Sequence, residues 1–279
     1  MPRNPVATFL LLLLFVSLAG CGSNRSKDGP PQSGSSSIPD LPGDAVPRPE
    51  PRSKYGNGPV YEVFGQNYTV LDSSAGYKER GVASWYGNKF HGNLTSNQEV
   101  YDMHAMTAAH KSLPLPSYVR VRNLRNNKSV IVRVNDRGPF VDNRIIDLSY
   151  SAARKIDMIK DGTSLVEVEA ISFDKPAGNR IVRQTTAQPA RHPPPATEPT
   201  ISNQIFVQVG AFGSRENAQR RLGAIRSGGI GNSFVIEDTS DSQSLYRVRV
   251  GPIKGVVQYD LLVEELDKLG IKDPYLVTE

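Results

Sequence analysis

Between Tyr118 and Asn123 the chain alternates Val119 and Val121 with Arg120 and Arg122, the two-residue period of a half-buried strand. After a turn at Asn126-Asn127 comes the β-branched run Ser129 to Val134, so this stretch predicts a hairpin. Alternation returns over Val166 to Phe173, where Glu167 and Glu169 face away from Val166 and Val168. One short helix is expected here, N-capped by Ser149 and ending near Ile156. Many short strands with a single short helix imply a small all-β barrel over residues 60–173.

From residue 202 the rhythm changes. Ile205 to Val209 reads as a strand, followed by a helix capped by Ser214 with Ala218, Leu222 and Ile225 on one face. Gly228-Gly229 ends that helix, and Asn232 to Glu237 is the next strand. The series then repeats: strand Leu245–Val250, helix Val256–Leu269 with Leu262, Leu266 and Leu269 inward, cap Gly270, closing strand Pro274–Thr278. Two β-α-β units predict a four-stranded α+β sheet of ferredoxin-like form, with both helices on one face and the other face open. In that geometry Ile205, Val207 and Val209 face the helices, while Phe206, Gln208 and Gly210 face outward. On the neighbouring strand Tyr246, Val248 and Val250 point inward, and Leu245, Arg247 and Arg249 outward.

Two stretches lack periodicity altogether. Gly22 to about Pro59 is rich in Ser, Pro, Gly and charge and has almost no large apolar residue, so residues 21–59 are expected to be a tether. A Pro-rich linker is expected over 174–201, which separates a barrel domain, 60–173, from a second domain, 202–279. Before the tether, Arg3 and the apolar run Phe9–Val16 have the form of a signal peptide over residues 1–20, the run being too short to span a bilayer. Leu18-Ala19-Gly20-Cys21 resembles the lipobox of bacterial lipoproteins. That resemblance implies lipid on the Cys21 sulfur and cleavage before it; the alternative is an ordinary signal peptide that contains a Cys. Gly22 stands where an Asp would resemble the inner-membrane retention signal, which points to the outer membrane, facing the periplasm.

Charge narrows the partners. The 33 Lys and Arg exceed the 28 Asp and Glu by too little for a nucleic-acid binder, and the excess falls in the first domain, where it suits a weakly anionic polymer such as wall glycan. Cys21 is the only cysteine and the four His are scattered, so neither a disulfide nor a metal site is expected.

Polar groups crowd into short, irregular-looking stretches of the first domain: Gly81-Val-Ala-Ser-Trp-Tyr-Gly87, Thr95-Ser-Asn-Gln-Glu-Val-Tyr-Asp102, Ala108-Ala-His110, Asn135-Asp-Arg-Gly-Pro139 and Arg144-Ile-Ile-Asp-Leu-Ser149. Together with the lipobox and the C-terminal domain, they resemble the rare lipoprotein A family. The resemblance implies a double-psi β-barrel, shared with expansins, and for some members lytic transglycosylation of peptidoglycan with no cofactor. That reaction needs an acid to protonate the glycosidic oxygen and a base to deprotonate the sugar's own C6 hydroxyl, which closes on C1 to leave a 1,6-anhydro end. One carboxyl can alternate between the two roles.

The family's acidic positions fall on Glu99 and Asp136: Asp136 is assigned as acid/base and Glu99 as its partner, with the roles open to exchange. The family pattern has Gly where Gln98 stands. His110 also falls on a family position, either to orient a carboxylate or bind sugar, or as a satisfied structural histidine. Asp147, between Ile146 and Leu148, matches the acidic residue of expansin-type barrels and is the alternate acid, since burial raises a carboxyl pKa; its other reading is a brace for the helix. Asp136 has the alternative of a turn residue paired with Arg137, and Trp85 and Tyr86 those of sugar platform or core.

Ile205-Phe-Val-Gln-Val-Gly-Ala-Phe212 and Tyr246-Arg-Val-Arg-Val-Gly-Pro252 resemble the sporulation-related repeat (SPOR) domain. This implies recognition of glycan stripped of its stem peptides, which accumulates at division septa, with Gln208 and Arg247 on the binding face and Phe206 and Arg249 beside them. The expected protein is a lipid-anchored, septal lytic transglycosylase acting on naked glycan, with division proteins as further partners. Its rivals are a non-enzymatic, expansin-like glycan binder and a structural division-site lipoprotein.

Overall fold

The computed structural model describes residues 28–31, 40–141, 143–173, 204–239 and 244–279. Cys21, the expected signal peptide and the expected linker 174–201 lie outside the described residues. A hairpin of β1 (Val60–Val63) and β2 (Gln66–Thr69) precedes a closed barrel. The barrel strands are β3 (Lys78–Tyr86), β4 (Thr107–His110), β5 (Ser117–Asn123), β6 (Ser129–Asp136), β7 (Arg144–Ser149) and β8 (Ser164–Ile171). Around the barrel the order is β3-β7-β4-β6-β5-β8. Two pairings, β3 with β7 and β4 with β6, are parallel, and the rest are antiparallel. This is the double-psi form.

The expected hairpin is β5–β6, with Val119 opposite Val132 and Val121 opposite Val130. All four side chains are fully buried, while Arg120 is exposed, as the alternation requires. Helix α1 (Tyr150–Lys155) begins where expected: the Ser149 side chain accepts from the Ala152 amide. The stretches that looked irregular in sequence include the strands β3, β4 and β7. Their apolar period is masked because Ala83, Ala108 and Ala109 line a crowded interior with small side chains, and because polar residues sit at the strand ends.

Residues 40–59 correct the reading of the tether. They run along the barrel, held by polar bonds: Ala45 N–H donates to Ile131 O (3.0 Å), Ser53 N–H to Leu115 O (2.8 Å), and Lys155 pairs with Asp44 (2.6 Å). Asn57 bonds Leu115 in both directions, donating to its O (2.6 Å) and accepting from its N–H (2.8 Å). Gly56, at φ +75°, lies so close to Leu115 and Ser96 that a Cβ would stand 2.9 Å from each. A segment that docks through carbonyls and carboxamides leaves no hydrophobic pattern.

Glu50 is the centre of this strap. It accepts from Arg133 (2.8 and 3.0 Å) and from the Tyr118 hydroxyl. Those Arg133 bonds, acting against burial, pull its carboxyl from 4.5 to about 2. Glu50→Gln is therefore expected to lose about 1–3 kcal/mol at neutral pH. The loss should shrink as pH falls from 4.5 through about 2, where the wild-type carboxylate is itself protonated. Urea titration across that window checks it.

The second unit consists of β9 (Ile205–Phe212), α2 (Arg215–Ser227), β10 (Ser233–Asp238), β11 (Leu245–Val250), α3 (Val256–Lys268) and β12 (Tyr275–Thr278). Its sheet order, β10-β11-β9-β12, is ferredoxin-like. Ala218, Leu222 and Ile225 pack with Ile205, Val207, Val248 and Leu276 in the core. Leu269 departs from expectation: it ends α3, is partly exposed, and covers Gly228 so closely that a Cβ there would meet its side chain at 2.7 Å.

Candidate functional site

The barrel gathers its polar chemistry where β6 ends beside the loop 94–100, next to the end of β4 and the inner part of β7. Leu94 and Val100 form an isolated bridge that closes this loop. Gln98 inside it has φ +71°, a conformation that suits Gly and costs other residues about 1–2 kcal/mol. That is the physical reason for a Gly at this place in the family pattern.

The loop holds two carboxylates on separate partners. Asp136 Oδ1 accepts from Ser96 N (2.8 Å), Ser96 Oγ (2.6 Å) and Arg137 N (2.8 Å). Glu99 accepts from Arg133 (2.7 and 2.9 Å), Asn135 Nδ2 (2.9 Å) and Asn97 Nδ2 (2.9 Å). Burial pushes the Glu99 carboxyl up, but the bonds from Arg133 and Asn135 outweigh it, so its pKa is lowered and it is a poor proton donor. Among the described hydrogen bonds, none joins Glu99 to Asp136.

Asp147 is the carboxyl placed beside Asp136. In register both residues face Ala109, Asp136 from β6 and Asp147 from β7. Burial raises the Asp147 pKa; hydrogen bonding from the Ser84 hydroxyl and the charges of Arg144 and Lys111 act against it, and Asp136 adds to it. Its Oδ2 lies 4.0 Å from where a Cβ on Gly138 would be, and Gly138 has φ +133°. Nearby, the Tyr86 hydroxyl and Thr107 Oγ1 are buried with no hydrogen-bond partner of good geometry. The field of Asp136 and of Asp147 reaches the Tyr86 hydroxyl and adds to the effect of burial in raising its pKa. The two hydroxyls are near enough to each other that Thr107 opposes this rise.

His110 is structural in this arrangement. Its Nδ1 accepts from Ser112 N (3.2 Å) and Leu113 N (3.1 Å), so the neutral ring carries its proton on Nε2, which donates to the Tyr77 hydroxyl (2.7 Å). Burial, with Arg137 and Lys111, holds the ring neutral, with a pKa of about 3. No described hydrogen bond links it to a carboxylate. Arg137 does not pair with Asp136 through its guanidinium, which is sunk among acceptors: Gly56 O (2.9 Å), His110 O (3.1 Å), Leu113 O (2.5 Å) and Asn57 Oδ1 (3.3 Å). Tyr86 is core, stacked on Tyr101 at 4.1 Å, and Trp85 is half-buried against Tyr150 at 5.6 Å. Ser84, Ser96, Tyr86 and Thr107 gain their place only through barrel closure.

On the second unit's outer face the expected residues share one side of the sheet, but that side is largely filled by their own contacts. Phe206 is buried against Phe234 (5.6 Å, edge-on), and Gln208 is only 1% exposed, between the Tyr275 hydroxyl and Arg249. The reason is lateral: Gln208 stands directly opposite Arg249 on one neighbour and Tyr275 on the other. Arg249 also pairs with Glu279, and Arg247 with Asp238 (2.7 Å). Tyr275, which the sequence reading did not single out, is the half-exposed aromatic of this face, at the edge strand.

Among the described residues no group of three or more His, Cys, Asp or Glu is placed to hold a metal, and no helix is long and apolar enough to cross a membrane.

Residues 78–168 match the family model described as Lytic transglycolase, and residues 202–278 that of the SPOR domain. The endolytic peptidoglycan transglycosylase RlpA of Vibrio cholerae is 50% identical over 178 residues, which cover 62% of this chain and 66% of that protein. The protein of the same name from Pseudomonas aeruginosa is 36% identical over 274 residues, 84% of this chain and 80% of its own length. Among solved structures, the RlpA SPOR domain from Pseudomonas aeruginosa is matched at 25% identity over 26% of this chain and 96% of that one, with a TM-score of 0.25. With two domain matches in series and a relative of this identity covered over four-fifths of its length, the chain belongs to the RlpA family of endolytic peptidoglycan transglycosylases.

Proposed function

We propose that the barrel cuts peptidoglycan glycan strands by lytic transglycosylation, with Asp147 as proton donor and Asp136 as proton acceptor. The observation that carries this is the placement of the two carboxyls on either side of Ala109, the one with raised pKa next to the one pinned through a single oxygen. Carboxyls whose environments differ in this way divide acid and base work between them. Asp147 gives its proton to the glycosidic oxygen as the C1–O bond breaks. The C6 hydroxyl closes on C1, its proton passes to Asp136, and exchange with solvent resets the pair without water being consumed. Glu99, kept ionised by Arg133, adds negative charge close to the developing oxocarbenium ion. Mass spectrometry of peptide-free strands after incubation with the protein tests the reaction: 1,6-anhydro ends are expected, and reducing muramyl ends or uncut strands refute it.

The second domain supplies address in this reading, and the lipid on Cys21 supplies attachment, at the outer membrane and concentrated at the septum. The support is the resemblance of the β9 and β11 motifs to glycan-recognising domains and the lipobox before Cys21. Exported residues 202–279 fused to a fluorescent protein are expected to gather at division sites. Because Gln208 is a buried link between Arg249 and Tyr275, Gln208→Ala with Arg247→Ala should disperse the signal by disordering that face, with circular dichroism unchanged. Cys21→Ser should leave the precursor uncleaved and without lipid, as read from its N-terminal mass.

A further inference from the structure

We propose that the turn after β3 is a carboxylate-binding subsite, formed by the backbone N–H groups of Gly87 and Lys89, and that it receives the free lactyl carboxylate of a muramyl sugar without its stem peptide. In this structure the chain's own Asp28 fills it. Asp28 Oδ1 and Oδ2 accept from Gly87 N (3.2 and 3.1 Å), and Oδ1 also accepts from Lys89 N (3.2 Å). Gly29 follows closely, its N–H on Asp28 Oδ1 (3.0 Å) and its O accepting from Asn88 N (2.9 Å). Nearby N–H groups converging on one anion make a nest, which binds carboxylates through charge-assisted bonds.

Three features make the turn a receptor with a replaceable occupant. Gly87 has no room for a side chain: a Cβ would lie 2.2 Å from Gly29 O and 2.8 Å from Trp85. Lys89 is exposed, with its ammonium 5.4 Å from the Phe90 ring centroid, and adds positive charge. Asp28 itself remains exposed although its carboxylate is bonded, so burial does not lock it in place.

The position relative to the carboxyl pair gives the turn its meaning, and here the inference rests on the reading of the barrel as a glycan-cleaving site. Gly87 directly follows Tyr86, whose hydroxyl lies within the field of Asp136 and Asp147. The nest therefore adjoins in the chain the residue whose side chain reaches toward the carboxyl pair. A muramyl sugar carries a lactyl ether whose carboxyl is an amide in intact wall and a carboxylate only after the peptide is removed. A nest that rewards negative charge prefers the stripped strand. Asp28, tethered nearby, competes for it at high effective concentration.

The test uses the full chain in detergent, as wild type and Asp28→Ala, on two probes: peptide-free strands with free carboxylates, and the same strands converted to methylamides. Asp28→Ala is expected to lower KM for the carboxylate strands roughly threefold to tenfold, because the competing occupant is gone. For the methylamide strands KM should be higher and indifferent to the change. Trp85, the only tryptophan, borders Gly87 and gives a second readout that does not depend on turnover. Its fluorescence in Asp28→Ala should respond to N-acetylmuramic acid and not to the methylamide. Equal KM values for the two strands, or a fluorescence response alike for acid and amide, would overturn the subsite while leaving the cleavage reading intact. If no strand is cut, the cleavage reading falls, and the fluorescence titration alone decides the subsite.

Discussion

Asp147→Asn is expected to lose on the order of a hundredfold to ten-thousandfold in the rate of anhydro-end formation, the usual cost of an acid/base group, and yet to be more stable than wild type at neutral pH. The two effects share one cause. Burial raises the folded pKa of Asp147 above its unfolded value, so the folded state binds this proton more tightly. Stability from that group is therefore complete below the unfolded pKa and is lost as pH rises through the folded one. At neutral pH the carboxyl is a burden on the fold, and an uncharged amide of the same shape removes it. The same raised pKa predicts that turnover falls as pH rises through the folded pKa and the donor is ionised. Asp136→Asn should also stop turnover, since an amide accepts no proton, but without the gain in stability, because Ser96 and Arg137 then lose a charged acceptor. Parallel kinetics and urea melts decide. An Asp147→Asn protein that is both active and unchanged in stability would sink the assignment.

Arg137→Met is expected to cost about 2–4 kcal/mol, a large share of the stability of a small domain. Its guanidinium is buried among Gly56 O, His110 O, Leu113 O and Asn57 Oδ1, and lies 5.7 Å from the Tyr61 ring centroid. Burial lowers its pKa to about 10, which still leaves it charged at any working pH. A methionine fills the space but takes the donor from Gly56 O, His110 O and Leu113 O, while Asn57 Oδ1 keeps the Leu115 N–H; these acceptors join three pieces of chain: the strap, β4 and the turn before β5. Arg137→Lys should recover little, because one ammonium cannot span a fork of acceptors. The measurement is the urea midpoint of the barrel transition; a loss under about 1 kcal/mol would show that water satisfies the acceptors instead.

The two domains differ in how openly their sequences display them. The second was legible nearly residue by residue, because its sheet has one apolar face and its helices carry caps: Ser214 does cap α2, and Ala218, Leu222 and Ile225 are its buried face. In the barrel only β5, β6 and β8 show a clear two-residue period. The strands β3 and β4 carry alanines inside, and β7 breaks its apolar run with Asp147, so periodicity fades where the site is built. The hairpin β1–β2 was missed although Phe64-Gly65, both at positive φ, form its turn. Glu99, Asp136 and Asp147 could be named from motif resemblance, but their pairing could not. That Asp136 stands beside Asp147, and Glu99 with Arg133, follows from the order of strands around the barrel, which no local pattern encodes. The outer face of the second domain failed differently: the side of the sheet was right, but cross-strand neighbours fill it.

Under the proposed attachment at Cys21, the docked strap becomes a matter of distance. Had residues 40–59 hung free, about 38 residues would separate the lipid from the barrel, a reach of roughly 130 Å at full extension. Because the strap is laid down from Asp40 onward, about 19 residues remain, or roughly 65 Å. With Asp28 seated in its turn the proposed leash would be about seven residues, near 25 Å at full extension, and would moor the barrel against the membrane. Release of Asp28 by a stripped strand would then more than double the height at which the enzyme can work, so that arrival of substrate itself lets the enzyme out into the wall.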